Sequence, residues 1–245
     1  MVYGEEDTRS EESKKAILKK EESANPVEKQ TFQKWMLRPL LMCIFFVVIQ
    51  KYSGASPVLF YTPTMLEQAG IFSKMASFAT IGIGFIIFLF TFIGVKFVDN
   101  KGRKFLLILG NIIMGADLLA LGILTKLPDT PGILLVIMMY IFIAGFGIGW
   151  GSVPWIVVGE FLPMAFKGTG SSIVTGIAWF SDALLAFIFP ILLSIFHIDN
   201  VFLIFGAINI LSSIFISKQF TETKGKTQTQ IDYENEQYWK AKHVS

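Results

Sequence analysis

Six long apolar runs, near residues 39–66, 77–98, 105–126, 133–160, 170–194 and 200–217, constrain what this chain folds into. A helix needs about 20 apolar residues to cross the hydrocarbon of a bilayer, and each run supplies them. Away from water, every backbone N–H and C=O must be paired within its own segment, which leaves helices as the spanning form for such runs. The 24 phenylalanines and many β-branched residues would favour strands in water. Here the length of each run overrides that local preference. The expected fold class is all-α: a polytopic membrane protein with a six-helix bundle. Charged residues are only 16% of the chain and gather at its two ends and in short connections. The single cysteine, Cys43, excludes an internal disulfide framework.

Three regions follow. Residues 1–37 are a polar, Glu- and Lys-rich segment whose acid-before-base pairs in "SEESKKAILKK" support short helices by a few tenths of a kcal/mol each. Residues 38–218 carry the six spans, and 219–245 form a polar tail. Arg38, the "DNKGRK" loop (99–104), Lys167, Lys218, Lys224 and Lys226 fall on one side of the bundle, against Lys74 and Lys126 on the other. An excess of Lys and Arg marks the cytosolic side. The expectation is a multi-pass protein of the cell membrane with both termini in the cytosol.

The first run interrupts itself. "VVIQKYSGASPVLFYTP" (47–63) carries a lysine, a Gly-Ala-Ser-Pro break and a second proline. Proline removes a backbone donor and clashes with the preceding turn. Irregular backbone at membrane depth is tolerated only where it faces protein or a wet cavity, and broken helices near the midplane mark substrate sites in transporters. Three ionisable residues lie well inside spans: Lys51, Asp117 and Asp182. A charge at the bilayer centre costs about 2.5–3.5 kcal/mol on insertion scales. The expectation is that Lys51 and Asp182 meet across the cavity, directly or through water. The competing reading has Lys51 reaching to water and Asp182 solvated alone. Asp117 is either protonated or bonded to a neighbouring helix.

Further motifs lie at helix ends. "GVKFVDNKGRKF" (94–105) has the form G-x4-D-x2-G-R-[KR], which is a gating motif or a plain basic anchor. "VPWIVVGEFLPMAFKGTGSS" (153–172) puts Glu160 at the end of the fourth span with Lys167 seven residues on, and "FTETKGKT" (220–227) follows the sixth. These stretches and "QKYSG…FYTP" stand in the order seen in the sugar porter family of the major facilitator superfamily. Over roughly residues 12–232 the chain resembles the C-terminal half of those transporters, and insect facilitated trehalose transporters in particular. The resemblance implies six helices equivalent to the second of two bundles around a central sugar site. The half-length chain is then a fragment, an incomplete gene model or a genuine half-transporter, with a second bundle or a second copy as partner.

The resemblance also implies site residues. On the discontinuous helix the family pattern falls on Gln50, Lys51, Gly54, Ser56, Phe60 and Tyr61; Lys51 stands for a sugar-binding glutamine and Ser56 for an asparagine. Gln50, Trp155 and Trp179 match sugar-contact or gating positions, with a structural tryptophan as the competing reading. Asp182 stands for an asparagine. Ile87, Gly147 and Ala178 replace polar residues of the family, so the solute site is divergent. The gating charges Asp99, Arg103, Lys104, Glu160, Lys167 and Glu222 keep their signs, with Lys167 standing for an arginine and Thr221 for a proline. The implied function is facilitative transport of a hexose- or trehalose-like sugar by alternating access, without a cofactor. The alternative is a non-transporting scaffold, sensor or decayed relative.

Enzyme chemistry has no support in the sequence: there is no P-loop, no catalytic triad, and His197 and His243 have no metal-ligand company. Nucleic-acid binding has none either. "GFGIGWG" (145–151) superficially looks like a nucleotide loop, but in an apolar run small residues serve close helix packing.

Overall fold

In the computed structural model, residues 33–59, 73–127 and 130–243 are described. A 3-10 turn, Lys34–Met36, leads into α1 (Leu37–Tyr52), and helix resumes at 55–59 after a break. Then come α2 (Ser73–Lys101), α3 (Arg103–Leu124), α4 (Gly132–Gly145), a π-helical stretch (Phe146–Gly151) and α5 (Val153–Phe161). A 3-10 turn, Met164–Phe166, precedes α6 (Lys167–Ile195), followed by α7 (Ile198–Gln219) and α8 (Gln228–His243). No strand occurs among the described residues. The described residues from Lys34 onward form one compact unit.

Among the described residues, six helical segments are long and apolar enough to cross a membrane: Lys34–Leu59, Phe78–Lys101, Arg103–Leu124, Gly132–Phe161, Met164–Ile195 and Ile198–Gln219. Each coincides with an apolar run of the sequence. The boundaries differ from those of the runs by a few residues at most ends, and several helices begin in the polar residues that flank a run.

The third segment is the pillar of the bundle, with 56% of its apolar window buried, against 17% for the second and 22% for the fifth. Small residues let its neighbours close in. A Cβ on Gly115 would lie 2.7 Å from Ile210 Cδ1, and one on Gly122 would lie 2.7 Å from Leu203, so α3 and α7 are nearly in backbone contact. The "GFGIGWG" stretch serves the same end. A Cβ on Gly149 would sit 2.4 Å from the Leu106 carbonyl oxygen, and one on Gly94 would sit 2.4 Å from that of Ile148. The stretch is therefore a packing surface against α2 and α3, wound as a π-helix.

The polar tail contains an element the sequence did not announce. α8 buries Ile231 and Asn235. Asn235 accepts a hydrogen bond from Arg38, whose guanidinium also lies 3.8 Å from the Tyr238 ring centre. Burial raises the Asp232 carboxyl on α8 above the usual range; a hydrogen bond from Gln228 and the charge of Lys167 oppose that rise.

Candidate functional site

The break in α1 is made by two residues with separate tasks. Gly54 has φ +95°, which ordinary L-residues rarely adopt, and it turns the chain out of the helix. Pro57 has no N–H to donate, so in the resumed helix it cannot serve the carbonyl four residues back, that of Ser53. That carbonyl instead accepts from Asn209 Nδ2 on α7 at 2.8 Å; the same amide also donates to the Phe205 carbonyl at 2.8 Å. Both Ser53 and Asn209 are fully buried. Ser53 Oγ donates back to the Gln50 carbonyl at 2.8 Å, finishing the first half of the helix.

On both sides of the break the helix meets α6. Lys51 Nζ lies 3.3 Å from Asp182 Oδ2, and Ser56 Oγ donates to Asp182 Oδ1 at 2.6 Å. The Lys51 ammonium stands 5.4 Å from the centre of the Trp179 ring, and that tryptophan is 65% exposed. The expected meeting of Lys51 and Asp182 is direct, and Ser56 joins it. The charged side chains are 18% and 13% exposed, so the pair lines a surface without being sealed inside.

Other sequence-predicted residues lie elsewhere. Gln50 is 5% exposed and turned inward; its Nε2 donates to the Trp150 carbonyl at 2.5 Å. Trp150 is itself buried, its indole N–H on the Leu107 carbonyl at 3.0 Å. In this conformation Gln50 ties α1 to the π-helical stretch. Trp155 is half exposed near the start of α5. Tyr61 lies outside the described residues. Of the replaced positions, Ala178 is buried, and a Cβ on Gly147 would lie 2.9 Å from that of Phe90, so a long polar side chain has no room there. Ile87 lines a shallow apolar groove on α2 with Phe88, Thr91, Phe92 and Val95. Asp117 is buried on α3 with one carboxyl oxygen unpartnered.

A second constellation ties the end of α2 and the start of α3 to α5 and to the segment after α7. Arg103 reaches Glu160 through two nitrogens, Nε at 3.1 Å and Nη2 at 2.6 Å, and Asp99 through Nη2 at 3.1 Å. Its Nη1 donates to the Val98 carbonyl at 3.2 Å. Two-pronged guanidinium–carboxylate contacts are the strong form of such pairs. Glu222 has a different task. Its carboxylate accepts the backbone N–H groups of Arg103 and Lys104, at 3.0 and 2.9 Å, and those of Thr223 and Lys224, each at 3.0 Å. A negative charge on the first free N–H groups of a helix is favourable. Gly102, with φ +89°, leaves room for it: a Cβ there would be 2.5 Å from Glu222 Oε2. Thr223 completes the cluster, donating to Glu160 at 2.8 Å. Lys167 acts electrostatically on Asp232 of α8. Lys104 contributes its backbone N–H to the cluster.

Asn209, Ser53, Trp150 and Thr223 are the participants that sequence reasoning missed. Asn209 alone left a signal, an amide within the apolar run "FGAINIL".

Six apolar helices among the described residues, the first of them interrupted at a polar seam, define a polytopic helical membrane protein. The chain belongs to the family described as "Sugar (and other) transporter", whose sequence pattern matches residues 3–234. It is 32% identical over 226 residues to the glucose transporter GlcP of Staphylococcus epidermidis, covering 89% of this chain and 50% of that protein. It is 34% identical over 202 residues to trehalose transporter 1 of Drosophila melanogaster, covering 80% of this chain and 24% of that protein. Among solved structures, a double-tryptophan variant of XylE superposes with a TM-score of 0.78 at 27% identity, covering 90% of this chain and 48% of that one. The chain thus spans about half the length of the bacterial relative and of the solved structure, and about a quarter of the fly protein.

Proposed function

We propose that the chain supplies one wall of a sugar passage: a six-helix bundle that rocks against a partner bundle, exposing a hexose- or trehalose-like solute to either side of the cell membrane. The reading rests on one observation above the others, the Lys51–Asp182–Ser56 cluster beside the broken α1. A bilayer tolerates such a break beside a polar cavity, and solute sites of carriers are built at such breaks. The end network of Asp99, Arg103, Glu160 and Glu222 is the gate of this reading, on the cytosolic side together with both termini. Family membership supports the sugar as solute.

The retracted Gln50 and the apolar or packed positions Ile87, Ala178 and Gly147 favour a second reading, a non-transporting relative. Counterflow of labelled glucose and trehalose into liposomes holding the full chain separates the two. Saturable uptake above protein-free liposomes supports transport. Its absence, with the chain folded and inserted and a second bundle supplied by co-reconstitution, favours the second reading.

A further inference from the structure

Where α8 docks, the bundle holds a recess that neither the broken helix nor the charged end network uses. We propose that this recess binds the phosphate of an anionic glycerophospholipid. The proposal does not depend on what the passage carries.

The recess has a volume of about 240 Å³ and lies between the start of α1, the end of α7 and α8, where Leu37, Arg38, Leu41, Gln219, Tyr238 and Trp239 line it. Its chemistry is divided. One part is apolar: Leu37 and Leu41 are 39% and 54% exposed. The outer side of α7 extends it, because Leu211, Ile214 and Phe215 are exposed there and the Phe215 ring meets that of Phe45 on α1 at 4.4 Å. The other part holds the Arg38 guanidinium against the Tyr238 ring, with Trp239 next along α8. Tyrosine and tryptophan collect at the level of lipid headgroups. An arginine at a helix end carries its charge to that level while its stem stays in the apolar layer.

Arg38 is held but not neutralised. Its Nη1 donates to Asn235 Oδ1 and its Nη2 lies 3.5 Å from the Gln219 carbonyl, and both partners are uncharged. Glu234 acts on it electrostatically, but that carboxylate is bound by Lys226 at 2.7 Å. Among the described residues, no carboxylate lies within ion-pair distance of Arg38, Lys34 or Lys218. Lys34 is exposed one turn before Arg38, and Lys218 is exposed beside Gln219. A guanidinium has five N–H donors in a planar fork that suits phosphate, and two contacts leave three of them for a ligand. One molecule satisfies both parts of the recess: a phosphate on the fork, with its acyl chain along Leu41 and the outer side of α7. A soluble phosphate would use only the charged part. Unpaired cations at a membrane surface favour an anionic headgroup over a zwitterionic one.

The test uses the full chain in phosphatidylcholine nanodiscs doped with a trace of phosphatidylglycerol or phosphatidylcholine, each carrying the same diazirine on one acyl chain. Photolabelling is mapped by mass spectrometry to residues 37–41 and 211–215. The phosphatidylglycerol probe is expected to label them about fivefold more than the phosphatidylcholine probe. Leu41→Trp, which fills the recess and leaves every charge in place, is expected to cut labelling of 211–215 at least threefold. Arg38→Lys, which keeps the charge and loses the fork, is expected to do the same, with resistance of α8 to proteolysis reporting that it stays docked. Equal labelling by the two probes, or no labelling, overturns the proposal. So does unchanged labelling in Leu41→Trp, which reveals diffuse attraction to a basic surface. Loss of labelling on adding millimolar glycerol 3-phosphate at constant ionic strength also overturns it, in favour of a site for soluble phosphate.

Discussion

Replacing Asn209 by leucine removes the donor that serves the Ser53 carbonyl, and its cost depends on whether Pro57 is present. The carbonyl is buried, and Pro57 cannot supply the N–H that a continuous helix would aim at it. Leaving a buried acceptor unpaired costs about 1–3 kcal/mol, while hydrogen bonds between membrane helices average about 0.6 and reach about 1.7 kcal/mol. Asn209 Oδ1 has no partner, so leucine also removes a buried polar atom, which trims the loss. The expected cost of Asn209→Leu is about 1 kcal/mol. With Pro57→Ala, residue 57 regains the N–H that a continuous helix aims at the same carbonyl, and the cost of Asn209→Leu is expected to fall by at least half. The assay is reversible unfolding in mixed micelles of the wild type, both single variants and the double variant. Independent sites add within about 0.3–0.5 kcal/mol. Additivity within that margin refutes the assignment of Asn209 to the carbonyl that proline leaves free.

Three other outcomes are expected. Arg103→Lys, which lacks the two-pronged fork, and Glu160→Gln each weaken the end network by about 2 kcal/mol, measured as loss of thermal stability; equal stability of both variants with wild type contradicts the geometry at Arg103. Gly149→Ala forces a Cβ to 2.4 Å from a backbone oxygen and costs about 1–3 kcal/mol, whereas Gly159→Ala, whose Cβ meets nothing within 4 Å, gains up to about 1 kcal/mol from helix propensity. Asp232 has a raised carboxyl pKa in the folded chain. Its contribution to α8 docking is therefore fully present below the carboxyl's unfolded pKa and is lost as pH rises through the folded value. Asp232→Asn should strengthen docking at neutral pH and flatten its dependence in the acid range, read by proteolysis of α8.

The six helices were legible because run length alone decides them, and the Lys51–Asp182 meeting was legible because a charge in an apolar run needs a partner. The break was legible as a glycine and a proline, but not their division of labour. That needed Asn209, 156 residues from Ser53 in sequence. The inward turn of Gln50 was hidden for a similar reason: its partner is the backbone carbonyl of Trp150, 100 residues away in sequence, and the residue four places on from Trp150 is Pro154, which has no N–H to offer it. α8 was illegible because its own sequence is too polar to hold it; Arg38, 197 residues from Asn235, supplies the anchor.

These pieces fix where the broken helix can turn. On one side of Gly54, Ser53 is held to α7 by Asn209. On the other, Ser56 is held to α6 by Asp182. α7 is locked to α3 by contacts that admit no extra methyl group at Gly115 or Gly122, while α6 belongs to a span with only 22% of its window buried. Any rotation about Gly54 that respects the tight seam must either break the Ser56–Asp182 bond or carry α6 along and part Lys51, on the fixed side, from Asp182. The joint between the two halves of the first helix therefore runs through the same carboxylate that faces Lys51, so a group competing for Asp182 also competes with the bond that keeps the helix bent.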